Sequence, residues 1–170
     1  MYPQAFIDYL IYFHADRDYF ECHEVLEEYW KEQDQKDKVW VGFIQLAVAL
    51  YHQRRGNFNG AGKMMKGAIR ILEQEQAQVS GLGVEAPTLI DDLRRRLLDI
   101  DLHQPYQSIE LPLKEDLKQR CLDICQLQGK VWNNPSNLDD AFLLHKHTRR
   151  DRQDVIEERL RNLNERQKKY

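Results

Sequence analysis

Residues 20–30, FECHEVLEEYW, contain a histidine and a glutamate four positions apart, His23 and Glu27. A helix turns by about 100° per residue, so this spacing places both side chains on one face, together with Trp30. The pair could belong to a catalytic, ligand-binding or metal site, or it could be a polar pair inside a helical core. The zinc-protease motif HExxH is not supported, because the position of its second histidine is occupied by Glu27.

A second polar pair, Gln45 and His52, shares one face of the helix predicted over residues 39–55. The other faces of this helix are apolar, which predicts that it is the central helix of the fold. Small side chains beside the pair allow a neighbouring helix to come close. We predict that this neighbour presents His23 and Glu27 from the middle of its own buried stripe, so that four polar groups converge in the core.

Four polar side chains that converge in a helical core have to hydrogen-bond one another, because an unpaired buried polar group costs about 1–3 kcal/mol. The favoured interpretation is a structural network of this kind, without a cofactor. A ligand-binding or catalytic pocket is the second interpretation, and a divalent metal held by His23, Glu27 and His52 is the third. Three further residues are candidates for the rim of such a site: Glu24, Trp30 and Asn57.

The periodicity of apolar residues and the capping signals predict an all-α protein. The helices are expected at residues 6–15, 18–33, 39–55, 58–78, 89–102, 115–127 and from 138 onwards. Residues 1–102 are expected to form a compact bundle of about five helices. Residues 103–114 contain two prolines and no helical period, which indicates extended chain. They open a second part, residues 103–170, whose helices are expected to pack on the bundle or on a partner.

The C-terminal arm contains an unusual stretch, HKHTRRDRQD, residues 145–154, without an apolar side chain. A helix that is polar all round is not held by core packing. Apolar residues return beyond this stretch, at Val155, Ile156, Leu160 and Leu163. The arm is therefore expected to project into solvent, to break in the middle, or to dock its distal stripe on another protomer.

The composition narrows the class of protein. Charged residues at 31% and apolar residues at 42% fit a globular, helix-rich chain and exclude a disordered or collagen-like one. No apolar run is long enough to span a bilayer and no export signal is present, so a cytoplasmic protein without a membrane segment is expected. The three cysteines are expected to be reduced. Nucleic-acid binding is not favoured, because acidic residues interrupt the basic run and the net charge is -3.

Two motifs carry a resemblance to a known family. YFECHEVLEEYW, residues 19–30, and GFIQLAVALYHQRRGNFNGA, residues 42–61, resemble the bacterial and archaeal family Domain of Unknown Function 309 in type, order and distance. The resemblance covers residues 6–75 and implies a compact bundle of helices. Its motif positions fall on His23, Glu24, Glu27, Trp30, Gln45, His52, Gly56 and Asn57. His14 and Asp16 stand where many members have an Asn and a Gly, so the turn before the motif is expected to differ.

The resemblance implies no activity, and two classes of function remain. The favoured class is a non-enzymatic interaction or scaffold protein, which binds a protein partner or its own copy through the C-terminal arm. The alternative is a hydrolase-like enzyme that binds a small molecule or a metal through His23, Glu27, Gln45 and His52.

Overall fold

The computed structural model describes residues 1–146 of the 170-residue chain. This part of the chain is all-α and contains no β-strand, which confirms the predicted fold class. The helices are α1 Gln4–Ile11, α2 Tyr19–Glu32, α3 Val39–Arg54, α4 Phe58–Gln74, α5 Gln76–Gly81, α6 Ala86–Asp101, α7 Glu115–Gln128 and α8 Ala141–Leu144. Six of these described helices end before residue 102, one more than predicted. None of the helices in residues 1–146 is long and apolar enough to cross a membrane.

The first helix ends in a way that the sequence pattern does not reveal. α1 passes into a π-helical turn, Tyr12–Asp16, which places one extra residue in the turn. Arg17 follows with a φ of 52°, in the left-handed region, and ends the helix. The backbone N–H of Asp18 then donates to the carbonyl of Tyr12 at 3.0 Å. This turn redirects the chain into α2 and leaves His14 buried.

The sequence predicts Asp18 and Asn57 as the N-caps of α2 and α4 and Gly56 as the end of α3, and all three are confirmed. The Asp18 carboxylate accepts the backbone N–H of Glu21 at 3.1 Å, and the Asn57 amide oxygen accepts that of Gly60 at 3.0 Å. Both bonds satisfy an N–H that the first turn of a helix leaves without a partner. Gly56, with a φ of 83°, ends α3 and allows the short connection to α4.

α3 is the central helix, as predicted, with α2 and α4 packed on it from two sides. The approach to α4 is close, because Ala61 and Ala68 of α4 are fully buried in this interface and carry only a methyl group. A Cβ atom on Gly42 of α3 would lie 2.8 Å from Cδ2 of Leu72. The α3–α4 hairpin therefore depends on small residues on both helices.

α1 covers a further side of α3. The rings of Phe6 and Phe43 lie 5.0 Å apart, and the Tyr9 hydroxyl donates to the Phe43 carbonyl at 2.8 Å. Cys22 of α2 lies beside this contact, and its thiol donates to the Tyr9 carbonyl at 3.4 Å. All three cysteines are free and buried, as predicted for reduced thiols that pack as small apolar groups.

Two helix boundaries differ from the predicted ones. The helix predicted to reach residue 78 breaks at Glu75, and the break turns the chain so that Val79 is fully buried in the core. α6 begins at Ala86 with Pro87 in its first turn, whereas the sequence predicts Thr88 as the cap and Leu89 as the first helical residue. Proline is accepted there, because the first turn does not use its missing N–H.

One compact unit comprises Met1–Ser136, and it extends beyond the boundary expected at residue 102. Residues 103–114 are non-helical, as predicted, but their side chains are not all at the surface. Tyr106 and Leu111 are buried in the core, and α7 packs on α1. The extended segment and α7 are therefore part of the bundle.

The second compact unit is Asn137–Tyr170, of which the structure describes residues up to 146. The Asp140 carboxylate accepts the backbone N–H of Leu143 at 3.2 Å, next to the start of α8. Most of the polar stretch at 145–154 and the whole apolar stripe at 155–163 lie outside the described residues.

Candidate functional site

The predicted polar pair of α2 is formed. His23 Nε2 lies 2.6 Å from Glu27 Oε2, one helical turn further on. The side chains are 27% and 33% exposed, so they are half-buried, whereas the prediction placed them in the middle of the buried stripe. The buried residues of α2 are Tyr19, Phe20, Cys22 and Leu26. Around the helix from His23 these residues span from about −100° at Cys22 to about +60° at Phe20, so the pair lies within this arc but is not fully covered by a neighbouring helix.

The surroundings of this pair are acidic. Glu24 Oε1 lies 3.4 Å from His23 Nδ1, and Lys31 Nζ lies 3.0 Å from Glu27 Oε1. Partial burial raises the pKa of Glu27, but the hydrogen bond from Lys31 and the charges of His23 and Lys31 together outweigh it. The pKa of Glu27 is therefore below its usual range, and its carboxylate is ionised at neutral pH.

The second predicted pair belongs to the α4 side of α3. The amide of Gln45 lies directly over Gly67, whose missing side chain provides the space. His52 Nδ1 lies 3.4 Å from the Asn57 amide nitrogen, at the start of α4. Gln45 Oε1 is buried and has no hydrogen-bond partner. The predicted network of four mutually bonded groups is therefore wrong at Gln45, because this side chain packs on α4.

A half-buried stripe remains along α3, and its residues are Val41, Gln45, Val48 and His52. On one side α2 packs against α3, with the ring of Phe20 6.4 Å from that of Tyr51. On the other side α4 packs against α3, where Leu72 fills the space above Gly42. We call this stripe and its two walls, α2 and α4, the α3 groove.

Trp30 of α2 carries a second buried group without a hydrogen-bond partner, in addition to Gln45 of α3. Its side chain is half-buried on the same side of α2 as His23 and Glu27, within about 60° around the helix. The indole Nε1 is buried and has no hydrogen-bond partner. Trp30 Nε1 and Gln45 Oε1 are thus a buried donor and a buried acceptor that have no partner in the described chain.

The structure places the remaining predicted site residues at the surface. Glu24 is 47% exposed, and Asn57 is exposed while it caps α4. Within residues 1–146, no three His, Cys, Asp or Glu side chains are grouped so that they could hold a metal ion. The weaker metal alternative at His23, Glu27 and His52 therefore has no three-ligand arrangement in the structure.

A buried arginine at the start of α2 was missed by the sequence analysis. Arg17 is 2% exposed and donates from Nε to the carbonyl of Asn134 at 2.7 Å and from Nη1 to that of Ile109 at 2.5 Å. Its own carbonyl accepts Nη1 of Arg54 at 2.6 Å. No sequence motif marks such a residue, because its partners are backbone carbonyls more than 90 residues away.

A chain of hydroxyls continues this network. The guanidinium of Arg54 lies 4.6 Å from the centre of the Tyr19 ring, and the Tyr19 hydroxyl bonds that of Tyr106. Tyr106 in turn lies 2.8 Å from the Ser136 hydroxyl. These contacts join α2, α3 and the extended segment, so they hold the fold together and do not form part of the groove.

His14 was noted in the sequence only as a departure from the family pattern. Its Nε2 accepts the backbone N–H of Leu111 at 3.0 Å, which makes Nδ1 the donor to the Leu10 carbonyl at 2.9 Å. The ring stacks on Trp132 at 4.3 Å. Burial lowers the pKa of His14 to about 3, so the imidazole is neutral in the folded protein.

Comparisons with known proteins identify the family of the chain. The chain is 48% identical, over 171 aligned residues, to the Uncharacterized protein YpuF of Bacillus subtilis (strain 168), and the alignment covers 99% of this chain and 98% of that protein. No solved structure is significantly similar to the chain. Residues 6–64, which include α2, α3 and the start of α4, match the family described as "Domain of unknown function (DUF309)". The chain belongs to this family.

Proposed function

We propose that this protein is a non-enzymatic helical interaction protein, and that the α3 groove binds a segment of a partner polypeptide. The observation that carries the proposal is the pair of buried atoms without partners, Trp30 Nε1 and Gln45 Oε1. Leaving a buried donor or acceptor unsatisfied costs about 1–3 kcal/mol, and such groups are few in native proteins. Both atoms are covered in the free protein, so the proposed partner displaces the side chains over them and removes this cost by supplying the missing hydrogen bonds.

A polypeptide matches the groove in polarity. Each peptide unit offers a carbonyl for the Trp30 N–H and an N–H for the Gln45 carbonyl. Val41 and Val48, about one helical turn before and after Gln45, supply half-buried apolar surface. A single extended or helical segment can satisfy all three requirements, whereas a small anion or sugar provides less apolar contact.

The charge of the α2 wall indicates which polypeptide. Four glutamates and one lysine surround a surface depression on α2, and they are Glu24, Glu27, Glu28, Lys31 and Glu32. Opposite charge across an interface speeds association and selects among partners. The proposed partner segment is therefore basic, with apolar residues between its charges.

The enzyme alternative has one observation in its favour, the short contact between His23 and Glu27, which would orient an imidazole for proton transfer. A nucleophile beside it is missing from the arrangement. Cys22 is the adjacent thiol, but it is fully buried under α1, and burial raises its pKa well above the usual range. The groove therefore supports binding better than catalysis.

Gln45→Leu is the decisive variant, because the two interpretations of this side chain predict opposite signs. If Gln45 serves a partner, removal of its unsatisfied carbonyl stabilises the free protein by about 1 kcal/mol and weakens partner binding about tenfold or more. If Gln45 belongs to a structural network, the same change destabilises the protein. Urea unfolding measures the first quantity.

Partner binding is measured with a photo-crosslinking amino acid placed at Val48 in the groove. A crosslinker at Gln119, an exposed residue of α7, is the matched control. The protein crosslinked from Val48 only is then purified, and its affinity for the wild type and for Gln45→Leu is determined by calorimetry. Equal affinities, or a Gln45→Leu protein that is less stable than the wild type, would contradict the proposal.

A further inference from the structure

A surface cleft lies between α4 and α6, outside the α3 groove. A cleft of about 490 Å³ opens there, and its lining residues are Lys66, Ile69, Arg70, Glu73, Gln74, Arg94 and Leu97. This volume falls within the range of about 300–1,000 Å³ that is common for small-molecule sites. Residues 66, 69, 70 and 73 are spaced so that they share one face of α4.

The floor and the rim of the cleft differ in polarity. Ile69 is 8% exposed and Leu97 is half-buried, so the floor is apolar. The rim carries three cations and one carboxylate, which gives a formal charge of +2 (3 − 1) at neutral pH. The cleft therefore offers an apolar surface directly beneath a cluster of positive charge.

Two of the three cations of the rim form no ion pair in the part of the chain that the structure describes. Among residues 1–146, neither Lys66 nor Arg70 forms a side-chain ion pair. Arg94 Nη2 is 2.5 Å from Glu73 Oε2, and this is the one carboxylate of the cleft. Two cations are thus available for a ligand, and the third is held by an exposed ion pair of the kind that contributes little to stability.

We propose that this cleft binds a phosphomonoester that carries an apolar group. A phosphomonoester has a charge of about −1.5 to −2 at neutral pH, which matches the rim. The planar guanidinium groups of Arg70 and Arg94 suit phosphate oxygens, and Lys66 adds a third donor. The apolar group then covers Ile69 and Leu97.

Binding is tested on the full chain with three probes, phenyl phosphate, inorganic phosphate and phenol, by heteronuclear NMR titration. Phenyl phosphate is expected to bind with a Kd of about 1 mM or lower and to shift the amide signals of residues around Arg70 and Leu97. Inorganic phosphate lacks the apolar group and phenol lacks the charge, so each is expected to bind about tenfold more weakly. Equal binding of phenol and phenyl phosphate would overturn the proposal.

Three variants are expected to change the binding of phenyl phosphate in opposite directions, which misfolding would not produce. Arg70→Gln and Lys66→Gln are each expected to weaken phenyl phosphate binding about tenfold, because each removes a charged donor. Glu73→Gln removes the only carboxylate of the cleft and releases Arg94, so binding tightens about threefold or more. Arg120→Gln, an exposed cation of α7, is the charge-matched control and leaves binding unchanged. Weakening by Glu73→Gln, or equal effects of Arg70→Gln and Arg120→Gln, would overturn the proposal.

Discussion

At the scale of single residues, His14 connects parts of the chain that are far apart in sequence. Its ring nitrogens bond backbone groups of Leu10 and Leu111, and its face stacks on Trp132. Protonation of Nε2 would replace the acceptor of the Leu111 N–H with a second donor. The buried site has no carboxylate among its described contacts, so the neutral ring is the form that the fold requires.

The low pKa of His14 predicts acid sensitivity. The unfolded chain takes up a proton near pH 6.5, whereas the pKa in the folded protein is about 3. Stability is therefore fully present above pH 6.5 and falls as the pH falls toward 3, by up to about 1.4 kcal/mol per pH unit. Urea unfolding between pH 7 and pH 4.5 measures this slope.

The variant His14→Gln isolates this contribution from those of the other histidines. Glutamine keeps a donor and an acceptor but does not titrate, so the slope of its stability against pH is expected to be shallower. An NMR titration provides a direct check. Protonation of the His14 ring above pH 5 in the folded wild type would refute the account.

The i, i+4 rule was sufficient to predict that His23 and Glu27 pair with each other. It was insufficient for their burial, because the depth of a helical side chain depends on where the neighbouring helices lie. The fully covered residues of α2 are Tyr19, Phe20, Cys22 and Leu26, and α1 and α3 are the helices that pack on α2. The neighbour of Gln45 was mispredicted for the same reason, since a helix that is apolar all round gives no sign of which face meets which partner.

At the scale of helices, the glycines of α4 have different environments. A Cβ on Gly67 would clash with the Gln45 amide, whereas a Cβ on Gly62 would meet nothing closer than Oδ1 of Asp101 at 3.8 Å. In the absence of a clash, replacing a glycine inside a helix by alanine stabilises the helix by about 0.5–1 kcal/mol. Gly62→Ala is therefore expected to stabilise the protein by about this amount.

Gly67→Ala is expected to stabilise less than Gly62→Ala or to destabilise, because the Gln45 amide must leave its place. The two single variants are matched controls for each other and are compared by urea unfolding. Leucine is one bond shorter than glutamine and has no atom at the place of Oε1, so combination with Gln45→Leu is expected to reduce the difference. Gly67→Ala with the same gain as Gly62→Ala would mean that Gln45 does not lie on Gly67.

Local signals predicted the ends of several helices. Asp18, Gly56 and Asn57 could be assigned from residue type alone, because capping depends on side chains within three residues of the helix end. The π-helical turn at Tyr12–Asp16 and the break at Glu75 could not be assigned in this way. Both are imposed by tertiary packing, the first around His14 and the second around Val79.

At the scale of the whole molecule, the chain consists of two compact units, and the second begins at Asn137. The apolar stripe expected at residues 155–163 is the sequence feature that favours self-association or a protein partner. Deletion of residues 138–170 is therefore expected to convert an oligomer into a monomer, as measured by light scattering, or to abolish partner capture. The first unit is retained in this variant, and circular dichroism at 222 nm checks that its helices persist.

A monomeric mass for both the full chain and the deletion variant, with equal partner capture, would exclude a role for the arm. The groove proposal would survive that result, because the α3 groove lies entirely within Met1–Ser136. The two experiments therefore separate two surfaces of the same protein. If no protein is crosslinked from Val48 but deletion of residues 138–170 lowers the oligomeric state or abolishes partner capture, the arm is favoured instead.

The contacts between the first and last parts of the compact unit also bear on its synthesis. Tyr2 bonds Asp116, Lys130 bonds Asp16, and Arg17 bonds Asn134, across 114, 114 and 117 residues respectively. At roughly 5–20 residues per second, the ribosome delivers these partners roughly 6–23 seconds after the N-terminal helix. During that interval α1 can already pack on α2 and α3, but the side of α1 that α7 covers stays exposed on the nascent chain.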